Sequence, residues 1–147
     1  QEAKMRAQIT ELQTLGVFEH GLVSHEELNR AYEKASFWTY PCIAPETFCI
    51  TALRAQLAGA IPVIINGTAL EETVRAGYRC TNSQEYLELI IKAMQNAEEI
   101  SLASRKSMGQ FILTDYTWKA IAEKWIQLFE SQSPVETLKL EEAVNAP

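Results

Sequence analysis

The residues best placed for chemistry lie between Pro41 and Arg54, in the run Pro-Cys-Ile-Ala-Pro-Glu-Thr-Phe-Cys-Ile-Thr-Ala-Leu-Arg. Pro45-Glu46-Thr47-Phe48 carries the marks of a helix start, with a proline that pre-sets φ and Glu46 in the first turn. The free backbone N–H groups of such a start, over Pro45 to Cys49, hold a phosphate or a sugar hydroxyl without needing a cationic side chain. Spacing leaves two readings for Glu46 at the mouth of that helix. It is an acceptor for sugar hydroxyls, or it only complements the helix dipole. Other candidates are poorer. His20 and His25 are five residues apart across a turn with no carboxylate cluster beside them, so they read as structural and a metal site is disfavoured. Cys42, Cys49 and Cys80 form an odd set without C-x-x-C spacing, which indicates neither a disulfide framework nor a zinc site. Their apolar company reads as reduced core thiols and points to the cytoplasm. No nucleophile elbow, P-loop or G-x-G-x-x-G occurs. Asn66-Gly67 reads as a turn, Glu71 and Glu72 as a solvated helix face. Tyr116, Trp118, Trp125 and Phe129 recur at helical spacing and read as core packing rather than a cofactor box.

The elements that must position these residues alternate between helix and strand. Glu2 to Leu15 has apolar residues at Met5, Ile9, Leu12 and Leu15 and is stopped by Gly16, so a helix is expected there. Val17 to Gly21 is a strand candidate. Ser24-His-Glu-Glu27 is a capping box that opens a helix running through Leu28, Ala31, Tyr32 and Ala35. Ser36 to Tyr40 is an aromatic and β-branched strand halted by Pro41. The helix from Pro45 runs to Gly59 and is followed by a buried strand, Pro62 to Asn66. Ala69 to Ala76 reads as a short helix closed by Gly77, Tyr78 to Cys80 as a strand, and Asn82-Ser-Gln-Glu85 as the cap of a helix from Tyr86 to Glu99. That last helix shows Leu87, Ile90, Ile91 and Met94 on one face. From Ile100 to Ser131 one or two amphipathic helices follow, the second capped by Thr114 or Asp115, and residues 132–147 read as a flexible tail. Strands separated by helices pair in parallel, which sets an α/β class. Ligands of such sheets sit at the carboxyl ends of the strands, here the loops at Gly21-Leu-Val, Pro41 to Glu46 and Asn66-Gly-Thr.

Composition bounds the function classes. The chain has 147 residues, 47% of them hydrophobic and 22% charged, which suits one globular domain and excludes general disorder. Thirteen basic against nineteen acidic residues give a net charge of −6, which argues against a nucleic-acid backbone or an anionic membrane as partner. The longest apolar run, Ala58 to Ile65, holds Gly59 and Pro62 and falls far short of the roughly 18 residues that span a bilayer. The chain opens Gln-Glu-Ala-Lys-Met-Arg, with neither an initiator Met nor an apolar signal region, so a piece of something longer is expected.

The run from Tyr40-Pro41 through Glu46-Thr-Phe-Cys49 to Gly59-Ala-Ile-Pro62-Val63 resembles the signature of retaining GT-B glycosyltransferases, a "P-x-E-x-F-G" loop opening a helix "x-E-A-x-A-x-G-x-P-V". The flanks are similar too. Phe18-Glu-His-Gly21 resembles the family's "f-x-G" strand, Glu27-Leu28 to Ala35 its "E-L-x-x-x-Y-x-x-A" helix, and Ala69 to Gly77 its "E-x-V-x-x-G" segment. The likeness runs from about Leu12 to Met94 in order and spacing.

The resemblance implies the carboxy-terminal, donor-binding half of GT-B, a Rossmann-like parallel sheet flanked by helices over residues 1–131 with extra C-terminal helices. It implies an enzyme that moves a sugar from a nucleotide-diphosphate donor to an acceptor with retention, using no metal or other cofactor. Glu46 then orients the donor sugar as the catalytic acid of the family's paired-acid motif. Phe48 and Cys49 lend backbone N–H groups to sugar and diphosphate, with Gly21, Pro45 and Thr47 lining the donor site. Two departures stand out. The second acid of the motif, which accepts the ribose hydroxyls, falls on Arg54, and a guanidinium only donates. Arg54 instead meets a phosphate or pairs with Glu46. Cys49 replaces the usual Gly, which ordinary helical φ at that position would tolerate. The family's diphosphate-gripping Arg and Lys and its acceptor-binding amino-terminal domain are not matched in the chain, so it is expected to be inactive alone. Two further strands lie in the family order between those at Val17 and Phe37, so either the polypeptide is partial or its exposed sheet edges pair with another copy. Arg54 keeps in view a non-catalytic nucleotide- or sugar-binding module, and the Trp-bearing terminal helices keep in view an assembly domain.

Overall fold

Ile61-Pro-Val-Ile-Ile65 is apolar without a break, the pattern of a strand covered on both faces, and all five residues are buried. In the computed structural model, which describes residues 2–67, 69–96 and 102–131, this segment is the central strand of a three-stranded parallel sheet. The elements are α1 (Glu2–Gln13), α2 (His25–Lys34), β1 (Phe37–Tyr40), α3 (Ile50–Leu57), β2 (Ile61–Ile65), α4 (Leu70–Thr73), β3 (Tyr78–Cys80), α5 (Ser83–Gln95), α6 (Leu102–Asp115) and α7 (Trp118–Ser131). The sheet order is β1-β2-β3, with Phe37 opposite Ile61 and Val63 opposite Tyr78. The α/β class with parallel strands is therefore as expected.

Alternation along the strands divides the core between two layers. Trp38 and Ile64 face Ala52 and Ala55 of α3 together with Leu70 and Val74. Val63, Ile65 and Cys80 face Tyr86 and Ala93 of α5, with Phe37, Tyr78, Leu89 and Ile90 at the margin. Alanines on α3 let its backbone approach the sheet closely. Gln56, fully buried on α3, donates to the Ala52 and Thr73 carbonyls at 2.9 and 2.8 Å and accepts from the Arg75 N–H at 3.4 Å. It thus fastens α4 to α3 with every polar group satisfied. Tyr86 does the same for α5, donating to the Val63 carbonyl at 2.8 Å. On α6, Met108 and Ile112 are buried, and Arg105 donates to the Gly59 carbonyl at 3.0 Å.

Two of the expected caps form. Ser24 and Glu27 make the reciprocal capping box of α2, and the Asn82 side chain accepts the Glu85 N–H at 3.0 Å. Elsewhere the structure corrects the expectations. Val17 to Gly21 is no strand, since no neighbour pairs with it, and Phe18 is 70% exposed. The face that α5 buries is Tyr86 and Ala93, which leaves Leu87, Ile91 and Met94 exposed; a hydrophobic stripe marks a face but not which of two faces finds the sheet. The aromatics of α7 are not core: Trp118 is 87% exposed, and Trp125 and Phe129 are exposed as well. Its first turn is held by Thr117, whose hydroxyl accepts the Ala120 N–H at 3.2 Å, rather than by Thr114 or Asp115. Cys49 and Cys80 are buried free thiols, but Cys42 is half-buried in a loop. The expected tail, residues 132–147, and the stretch around Ile100 lie outside the described residues.

Candidate functional site

Tyr40 ends β1 because Pro41 has no N–H to continue the ladder. The chain then loops from residue 41 to 49 over the carboxyl ends of the strands and enters α3 at Ile50. The helix start expected at Pro45 is thus displaced to Ile50. Two features explain the shift. Cys49, which precedes the helix, has φ 61° and ψ 70°, a left-handed conformation that no helix passes through. Glu46, outside the helix, takes up the Thr47 N–H with its own carboxylate, a local alternative to helical bonding.

The Glu46 carboxylate is the centre of this loop. Tyr40 donates its hydroxyl to Oε2 at 3.0 Å, and the Thr47 N–H donates to Oε1 at 3.0 Å. The Phe48 N–H and the Cys49 side chain add smaller effects on the carboxylate. These donors, Tyr40 foremost, hold the Glu46 carboxyl below its ordinary value of 4.5, against a smaller upward push from desolvation. The same bond, with Cys42 second, pushes the Tyr40 hydroxyl well above its ordinary 10.0. The Glu46 carbonyl accepts the Ala69 N–H at 3.2 Å, which ties the loop after β1 to the segment after β2. Between them lies a hollow of about 150 Å³, with Cys42, Ile43 and Ala44 on one side and Ile65, Asn66, Gly67 and Thr81 on the other. It sits at the carboxyl ends of all three strands, where parallel sheets bind ligands.

Asn66 leaves β2 in irregular backbone rather than the expected turn, its side chain fixed by Glu71 and Arg79, each at 3.2 Å. Glu72, exposed, accepts the Tyr116 hydroxyl at 3.2 Å, and the Tyr116 ring meets Phe48 at 5.8 Å between centroids. Burial, then the Glu72 carboxylate, pushes the Tyr116 hydroxyl up.

The expected site residues divide into three places. Pro45, Glu46, Thr47, Phe48 and Cys49 come together in the loop. Arg54 is on α3, and its Nη1 lies 2.9 Å from Nδ1 of His25. Since a guanidinium only donates, His25 Nδ1 accepts and its proton rests on Nε2. Gly21, with φ 64°, lines a different hollow beside His20 and Leu28. Cys49 does not keep the helical φ that would make it an easy replacement for glycine. Tyr40, the principal partner of Glu46, was not singled out by the sequence. The available signal was a strand-final tyrosine before Pro41, which marks where a strand stops and not which carboxylate returns to it. Among the described residues, no group of three or more His, Cys, Asp or Glu side chains is arranged to hold a metal ion, and no helix is long and apolar enough to cross a membrane. No protein-family model matches the chain, and no curated protein sequence matches it.

Proposed function

We propose that this chain is part of the donor-binding half of a retaining glycosyltransferase of GT-B type, acting on a nucleotide-diphosphate sugar. What supports the reading is the Glu46 loop: the residues carrying the family-like motif form one fastened loop at the ligand-binding end of a parallel sheet. In this reading Glu46 orients hydroxyls of the donor sugar, and Tyr40 holds its carboxylate ionised and aimed. Ligand hydroxyls replace some of the loop's own donors. The leaving diphosphate and the loop amides stabilise the oxocarbenium-like transition state, so no side-chain nucleophile is needed. Turnover requires the acceptor-binding domain, because a GT-B site lies between two domains.

Saturation-transfer NMR with UDP- and GDP-sugars tests binding to the chain, and turnover of protein carrying both domains tests the chemistry. Glu46→Gln keeps the shape and removes the charge. A hydrogen bond to a charged group contributes about 1.5–3 kcal/mol, so kcat/KM should fall about 10- to 100-fold. Unchanged kinetics would overturn the assignment. A second reading, a non-catalytic nucleotide- or sugar-binding module, draws on Arg54, which meets His25 where the family pattern has a ribose-binding acid. Binding of a nucleotide sugar by the two-domain protein without transfer or hydrolysis would favour it. Absence of any nucleotide-sugar contact would favour an assembly role.

A further inference from the structure

Glu46 and Phe48 stand in backbone that belongs to no helix or strand, so side-chain contacts must place them. One comes from far along the chain. Tyr116 lies in the two-residue junction between α6 and α7, and its ring meets Phe48 at 5.8 Å between centroids. Its hydroxyl donates to Glu72 of α4 at 3.2 Å. Ala69, just before α4, donates its N–H to the Glu46 carbonyl at 3.2 Å. These contacts close a circuit from Glu46 through Ala69, Glu72, Tyr116 and Phe48 back to Glu46. Tyr116 is itself held from several sides. Phe111 meets its ring edge-on at 5.9 Å, and Arg75 lies 4.8 Å over the Phe111 ring. Arg75 also pairs with Asp115 at 3.3 Å, and Lys124 of α7 approaches the same carboxylate at 3.8 Å. Exposed ion pairs of this kind contribute little singly, but here they meet on the residue next to Tyr116.

We infer that Tyr116 is a positioning residue of the candidate site: by holding Phe48, it keeps the Glu46 carboxylate turned back to Tyr40. The α6–α7 junction then supports the site, and a change there acts on Glu46 from a distance. Without the Tyr116 ring, Phe48 loses its neighbour and the segment from Glu46 to Phe48 gains freedom. The Tyr40–Glu46 bond, 3.0 Å long, is then made for a smaller fraction of the time. If Glu46 orients a donor sugar, the same loosening weakens its hold on the sugar hydroxyls. That consequence rests on the donor-site reading; the positioning itself does not.

Titration of Glu46 by carbon NMR, in the folded chain with no ligand present, tests the positioning apart from the donor-site reading. The natural carboxyl lies below 4.5, chiefly through Tyr40. Tyr116→Ala should move it up toward 4.5 and Phe48→Ala should move it as far. The double variant should move it no further than either, since both cut the same contact. Tyr116→Phe keeps the ring and should restore the natural titration. Phe48, 39% exposed, carries the test should Tyr116→Ala not fold. The proposal is overturned if the alanine variants leave the titration unmoved or if their shifts add in the double variant. It is also overturned if Tyr116→Phe is displaced as far as Tyr116→Ala. The expected shifts in a chain that binds no nucleotide sugar would support the positioning and count against the donor site.

Discussion

Cys49 is a non-glycine residue held at φ 61°, and the cost of that conformation can be isolated. For an L side chain the left-handed region costs roughly 1–2 kcal/mol. Cys49→Ala and Cys49→Gly both delete the thiol, but only the glycine relieves the backbone. The glycine variant should therefore be the more stable of the two by about 1 kcal/mol in urea unfolding, the reverse of their order inside a helix. A more stable alanine variant would contradict the left-handed geometry. The Tyr40–Glu46 contact makes a second prediction at this scale. A carboxyl lowered in the folded state contributes stability that is present above its ordinary value of 4.5 and is lost as pH falls through the folded value. Tyr40→Phe deletes the largest of the lowering contacts. The Glu46 titration, followed by carbon NMR, should move up toward 4.5, and the acid loss of loop order should begin at a higher pH. An unmoved titration would remove Tyr40 from this role.

At the scale of elements, the tightest fit is between β3 and β2. Gly77 enters β3 at φ 111°, and a Cβ there would lie 2.3 Å from the Pro62 carbonyl oxygen. Gly77→Ala thus meets left-handed strain and a backbone clash together and should cost about 3 kcal/mol or abolish folding. Gly16, at φ 90° with nothing near its Cβ position, carries the backbone strain without the clash, and Gly16→Ala should cost no more than about 1–2 kcal/mol. What the sequence made legible at this scale was local chemistry. The caps at Ser24 and Asn82, the buried strand at Ile61–Ile65 and the glycine closing before Tyr78 all depend on residues within a few positions. What it did not disclose depends on distant partners. Val17 to Gly21 has strand composition but no strand to pair with, and the α5 stripe at Leu87, Ile91 and Met94 lies away from the sheet because Tyr86 bonds to Val63 on the other side. Within the site, the loop was legible as a unit, while its internal order was not. Nothing in the spacing of Glu46 shows that its carboxylate turns back to Tyr40.

For the whole molecule, stability is concentrated around β2. Its residues are covered by β1 and β3 at the sides and by helices on both faces, whereas α1 buries none of its residues. An isolated helix of 12 residues is marginal in water, so α1 adds little to the folded state. Hydrogen exchange should accordingly find its slowest amides at Val63, Ile64 and Ile65 and its fastest helical amides in α1. Removing residues 1–16 should change the urea unfolding free energy by no more than about 0.5 kcal/mol, the range of a surface change that disturbs no core. A loss much above that, or slow exchange in α1, would mean that the apolar stripe of Met5, Ile9 and Leu12 packs on the domain in solution. The same measurement bears on function, because a stable remainder would carry the Glu46 loop unchanged. Tyr40, Glu46 and the segment at Ala69 that fastens the loop all hang on the β1–β2 pair, and their geometry should survive the loss of α1 as long as that pair does.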